Sequence, residues 1–143
     1  MRCYASGRGV TNVPTAARGP SVFGIAARPI YLVEVGVFNT TTTAFTAGVA
    51  RATVAGTAAG ALTEIAEDSE ITPVAVANSS QSTDSTIAGV YAQASIGAAI
   101  GAGVIWTFGG KGLRAPAGTA NGFVLTTPTG TGQFSDFYFV WEE

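Results

Sequence analysis

The chain has 143 residues, a formal net charge of −2 and only 11% charged side chains, against roughly 25% in an average soluble domain. Apolar residues make up 47%, enough for one domain with a real core. Histidine is absent and cysteine occurs once, which excludes a Ser-His-Asp or Cys-His device, a His-containing metal site, a Cys-based zinc cluster and an intrachain disulfide.

Met1–Pro29 is punctuated by glycine and proline and shows no sustained period. It holds Arg2, Arg8, Arg18 and Arg28 and no acid, which leaves three basic and nine acidic groups to the rest of the chain. The expectation is an extended basic N-terminal arm over residues 1–29, docking onto another surface, ahead of a negative body over residues 30–143. Four dispersed arginines without interleaved aromatics make a thin phosphate footprint, so no nucleic-acid partner is expected. Cys3, with no base nearby, reads as incidental rather than nucleophilic, and no cleavable signal is visible in Met1–Gly9.

Ile30–Asn39 is the clearest strand of the front half. Strict alternation would put Tyr31, Val33, Val35 and Val37 on one face, with Ile30, Leu32, Glu34, Gly36 and Phe38 on the other. Asn39 and four threonines make a turn into a second strand, Phe45–Val54, which Gly56–Gly60 closes. Glu64, Glu67, Asp68 and Glu70 form the only acidic cluster, but the calcium-loop pattern is absent and a helical turn, or an acidic loop facing solvent or a basic partner, is expected. Ile71–Ala77 reads as a strand and Asn78–Ser85 as a polar loop.

Ala88–Phe108 carries no charge. Its polar residues, its glycines and the lack of flanking basic clusters argue against a membrane span, and it divides into two β-like pieces, Thr86–Ile96 and Gly103–Phe108. Gly109-Gly110-Lys111-Gly112 lacks the phosphate-loop spacing and reads as a hairpin turn. Leu113–Pro116 and Gly122–Thr127 follow, and then the last strand. That strand puts Phe134, Tyr138 and Val140 on one face, with Asp136 and Glu142, and Phe137, Phe139 and Trp141 on the other. Large groups on both sides imply a sheet covered on both faces. About eight short strands spaced by turn signals predict an all-β, single-domain β-sandwich or jelly roll.

The basic arm, the Ile30–Val35 opening strand, Val104-Ile105-Trp106-Thr107-Phe108, Gly112-Leu113-Arg114-Ala115-Pro116-Ala117-Gly118 and the Trp141-Glu142-Glu143 ending together resemble the capsid decoration or cement proteins of tailed bacteriophages. The resemblance implies a non-enzymatic virion protein on the capsid surface, bound to the major capsid protein and to copies of itself as a dimer or trimer. It implies no cofactor, metal, membrane or small-molecule substrate. Some relatives carry a separate sugar-binding or immunoglobulin-like module, for which this sequence is too short. Arg8, Arg18 and Arg28 are the expected contacts to an acidic shell or neighbour. The scarcity of surface charge agrees with a chain pressed against others. The rival readings are a trimeric receptor- or glycan-binding head of a tail fibre, using aromatics such as Tyr91 or Tyr138, a shell or tail-tube subunit, and a secreted adhesin domain.

Overall fold

A computed structural model describes residues 1–11 and 17–143. The chain is all-β, with no helix among the described residues. Twelve strands follow one another: β1 (Arg2–Val10), β2 (Ser21–Phe23), β3 (Ile30–Asn39), β4 (Phe45–Val54), β5 (Ala58–Ala61), β6 (Ile65–Ala66), β7 (Val76–Gln81), β8 (Thr86–Ile96), β9 (Gly103–Thr107), β10 (Leu113–Ala115), β11 (Gly122–Thr126) and β12 (Phe134–Glu142).

The strands form two antiparallel sheets. Sheet A runs β10-β3-β12-β1-β6 with β9 also on β3, and sheet B runs β5-β7-β2-β11-β4-β8. The order follows from one long hairpin. Its two halves pair β4 with β8, β3 with β9, β2 with β11 and β1 with β12. Rolling that ladder up adds the β3·β12 and β4·β11 pairings and sends alternate rungs to opposite sheets. That is the jelly roll, with twelve strands where about eight were expected, β5, β6, β7 and β10 being additional to the rolled hairpin.

Sequence and structure part company at the N-terminus. Arg2–Val10 is no arm: β1 pairs with all nine residues of β12, from Arg2↔Glu142 to Val10↔Phe134, and β2 lies inside sheet B. Residues 12–16 of the expected arm lie outside the described residues. The inward side of β1 carries Cys3, Ala5, Gly7 and Gly9, so its alternation is one of size rather than hydropathy. Small groups are needed there. A Cβ on Gly7 would stand 2.7 Å from Leu62 Cδ2 and 3.3 Å from the Phe137 ring, and one on Gly9 would strike the Ser79 carbonyl.

The core lies between the sheets, where Phe137, Phe139 and Trp141 meet Ile30, Leu32, Val35, Val37, Val49, Phe123 and Leu125. The inward face of β12 is the one expected. The faces of β3 are not those of strict alternation. Val140 opposes Glu34 while Trp141 opposes Leu32, so the ladder slips at Val33, and the buried set becomes Ile30, Leu32, Val35 and Val37. Nor is the sheet around β12 covered on both sides by this chain. Sheet B has a small second cluster, Phe23, Ala52 and Val124, on its outer side, whereas Phe134 on the outer side of sheet A is 54% exposed.

Other departures are local. The strand expected at 71–77 is shifted to β7, whose polar Asn78–Gln81 half was read as loop. Gln81 explains why: its Oε1 accepts from Gly56 N (2.8 Å) and Ser85 Oγ (2.6 Å), so its polarity is satisfied inside. Gly56–Gly60, read as a closing turn, contributes to β5 instead. Gly109–Gly112 is not a hairpin turn. β9 and β10 both run antiparallel to β3, at Glu34–Phe38 and Ile30–Leu32, so this loop is an excursion from one interrupted edge strand. At Gly112 φ is +67° and a Cβ would meet the Leu32 carbonyl at 2.5 Å.

The two chain ends close the sheet together. Met1 N donates to the Glu143 carbonyl (3.0 Å) and Glu143 N to the Met1 carbonyl (3.1 Å). The Glu143 carboxylate accepts from Val74 N (2.8 Å) and Ala75 N (2.9 Å). Removing residues 1–10 is therefore expected to abolish the cooperative unfolding transition in urea, since β12 and its aromatics lose a neighbour. A dispensable arm would leave the transition midpoint where it was.

Candidate interaction surfaces

The first surface is the lateral side where β8 ends sheet B and β9 ends sheet A. Between Asp84 and Lys111 the sequence contains no charged residue, and this stretch builds both edges and the loop joining them. Asn39 fixes that loop. Its Nδ2 donates to the Thr43 (2.8 Å) and Gly97 (2.9 Å) carbonyls, and its backbone is bonded to Ala102 (2.7 Å) and Gly101 (2.8 Å).

Along β8 the pairing slips where Val49 opposes Ala92 and Ala50 opposes Val90, leaving Tyr91 bulged. Ala92, Ala94 and Ile96 turn inward on one side of the bulge. Tyr91 sits with its ring 6.2 Å from that of Phe123, yet stays 46% exposed. Val90 on β8, Ile100 in the loop and Ile105 on β9 are exposed as well, Val90 beside Gly48 of β4 and Ile105 opposite Gly36 of β3. A Cβ on Gly89 would touch nothing within 4 Å and its φ is ordinary, so packing within one chain does not require glycine there. Such a strand is a template guarded only by irregularity, its pairing with β4 slipping at Tyr91, Ala88 and Thr53. It has open N–H and C=O groups, eleven residues of length, and no lysine or proline to blunt it.

The second surface is the outer face of sheet A. Register aligns Thr107, Glu34, Val140 and Tyr4 across four strands, with Ile65 beyond on β6. The next row is Ile105, Gly36, Tyr138 and Ser6. The Tyr138 ring lies on Gly36, where any Cβ would overlap it. Its hydroxyl donates to Glu34 Oε1 at 2.7 Å. Burial, then the hydrogen bond and the negative charge of Glu34, push the Tyr138 phenol up to about 12.

The arginines expected as contacts are placed differently from one another. Arg8 forms a two-point pair with Asp136 (Nε–Oδ1 2.7 Å, Nη2–Oδ2 3.0 Å), which holds that carboxyl below its usual range. Arg18 Nε pairs with Asp84 Oδ1 at 2.6 Å. Arg28 is exposed beside a tight Ile25–Arg28 bridge, with no ion-pair partner among the described residues. The structure does not bring the three together in one patch with a shared partner.

Of the tyrosines named for a glycan-binding head, Tyr91 is on the open edge, and Tyr138 is in the middle of a sheet with its hydroxyl engaged. The acidic cluster is a loop rather than a helical turn: Glu64 Oε1 accepts from Ala77 N (2.7 Å) and Asp68 Oδ1 from Glu70 N (3.0 Å). No group of three or more metal-ligating side chains occurs among the described residues. Cys3 is buried, and burial pushes its thiol up to about 12, far from a reactive thiolate at neutral pH.

Sequence reasoning missed the groove around Glu34. The signal was present in the lone glutamate inside an apolar strand, but it could be assigned to a face only once the slip at Val33 was known. No protein-family model, curated protein or solved structure matches the chain.

A raised phenol loses its stabilising contribution as pH climbs from the unfolded value, about 10, through the folded one. Stability is therefore expected to fall between about pH 10 and 12, and ultraviolet difference titration should show a tyrosinate appearing only near pH 12. Glu34→Gln should lower that midpoint in part, since burial remains. A titration curve identical in the variant would show that Glu34 does not act on Tyr138.

Proposed function

We propose that this chain is a structural assembly subunit, in its finer form a decoration or cement protein that binds the outer surface of a phage capsid as a homo-oligomer and braces contacts between major capsid subunits. The observation that carries the reading is the open backbone edge of β8, in a stretch with no charged residue of its own between Asp84 and Lys111, with Val90, Tyr91 and Ile100 exposed along β8 and the loop after it and Arg51 of β4 as the cation beside Val90 and Tyr91. A two-fold pairing sets like residues near each other, so an edge without charges is compatible with a copy of itself. The jelly roll supplies a rigid body with few internal degrees of freedom, as a part that must repeat requires. No catalytic role is assigned to any residue.

On this reading Arg28 is the arginine most available to an acidic shell, because Arg8 and Arg18 already spend their charge within the chain. The glycan-binding alternative keeps only one of its two tyrosines, because the Tyr138 hydroxyl is engaged by Glu34 while Tyr91 is exposed beside Arg51 and Thr53.

Two measurements test the proposal. Sedimentation velocity should show a discrete oligomer that Val90→Lys weakens by about tenfold or more, the factor that ~1.4 kcal/mol of like-charge repulsion produces, with the thermal midpoint of the subunit unchanged. Titration onto undecorated capsids should saturate at a fixed stoichiometry, and Arg28→Glu should weaken binding more than Arg8→Ala. A monomer that ignores capsids and adheres to host cells instead would overturn the reading in favour of a fibre head.

A further inference from the structure

Three carboxylates project from the outer face of sheet A, and they are treated unequally. Asp136 is held by Arg8 and Glu142 by Arg2, whose Nη2 stands 3.1 Å from its Oε1. Glu34, on the row between them, has no cation of the described chain within ion-pair distance and accepts only from the Tyr138 hydroxyl through Oε1.

Around it is a groove of about 340 Å³ lined by Tyr4, Ser6, Ile65, Tyr138 and Val140. Tyr4 and Ile65 are exposed on its rim, while Val140 is buried in its floor. A half-buried carboxylate in a recess walled by two tyrosines and aliphatic groups is deficient in positive charge on a face where Asp136 and Glu142 have each been given one.

We propose that this groove binds an arginine side chain presented by a partner protein, with the guanidinium against Glu34 and its stem along the Tyr4, Ile65 and Val140 walls. The chemistry favours arginine over lysine. A planar guanidinium can bond a carboxylate through two donors while stacking on an aromatic face, and it is less strongly hydrated than an ammonium. The Tyr138 hydroxyl donates to Glu34 Oε1, so it steadies the glutamate instead of competing for the cation. The inference does not depend on the capsid reading, since the site is on the face of sheet A and the open β8 edge ends sheet B.

The test is a heteronuclear NMR titration of the full chain with the capped tripeptide Gly-Arg-Gly, with matched Gly-Lys-Gly, Gly-citrulline-Gly and a neutral oligosaccharide as further arms. The expected result is saturable shifts confined to residues 4, 6, 34, 65, 138 and 140 with the arginine peptide. Affinity should be weaker with lysine and lost with citrulline, which keeps the shape without the charge. Glu34→Gln should weaken the arginine peptide by about tenfold while leaving the thermal midpoint near that of the parent. Tyr4→Ala, at an exposed position, should weaken it independently, and provides the reading if Glu34→Gln folds poorly. Equal binding of arginine and citrulline peptides, shifts mapping elsewhere, or no effect of either variant would overturn the proposal. Tighter, saturable binding of the oligosaccharide at the same residues would overturn it in favour of a glycan site.

Discussion

The ladder between the first and last strands is the contact on which the rest of the molecule depends. β1 and β12 pair over nine residues, and three of the five aromatics buried in the sandwich, Phe137, Phe139 and Trp141, come from one of the two. Truncating one such buried aromatic costs ~3–5 kcal/mol, a large fraction of the stability of an ordinary domain. Their bulk is accommodated because β1 contributes Cys3, Ala5, Gly7 and Gly9 beside them. β12 is also bonded on its other side to β3, so the core cannot close until β12 is in place.

Charge is distributed to the same end. The ion pairs seen among the described residues, Arg2–Glu142, Arg8–Asp136 and Arg18–Asp84, each join the N-terminal segment to a distant part of the chain. All are exposed, so they contribute little to stability. They do favour one register of β1 on β12, since a slip of one residue would send the arginines inward. Three of the four arginines that look in the sequence like a positive arm are, once folded, paired with acids of the body, and Arg28 is the exception. On the outer face of sheet A, Glu34 is the carboxylate left without a cation.

The sequence showed the architecture well where side-chain size and hydropathy change together. β3, β4, β8, β9, β11 and β12 fall close to where alternation and turn signals put them. It failed where they separate. In β1 the inward residues are small and the outward ones are Arg, Tyr, Ser and Arg, so no apolar stripe marks the strand. In β7 the hydrogen bonds of Gln81 make a polar residue suitable for burial. Slips at Val33 on β3, and at Tyr91, Ala88 and Thr53 in the β4–β8 pair, interrupt the parity of their strands, and a slip of this kind has no local signature. The Glu34 groove is a consequence of the first. Its members come from β1, β3, β6 and β12, and only the rolled topology brings them to one place.

The central claim is that the β8–β9 flank is a docking edge left open in the single chain. Hydrogen exchange, resolved to individual amides and compared between dilute subunit and assembled particles, addresses it directly. The account predicts slow exchange in both states for Cys3–Gly9 and Ser135–Trp141, and fast exchange in the dilute subunit for the outward-facing amides of Thr86–Ile96, which become protected on assembly. Amides of Thr86–Ile96 that exchange at the same rate in both states would contradict it.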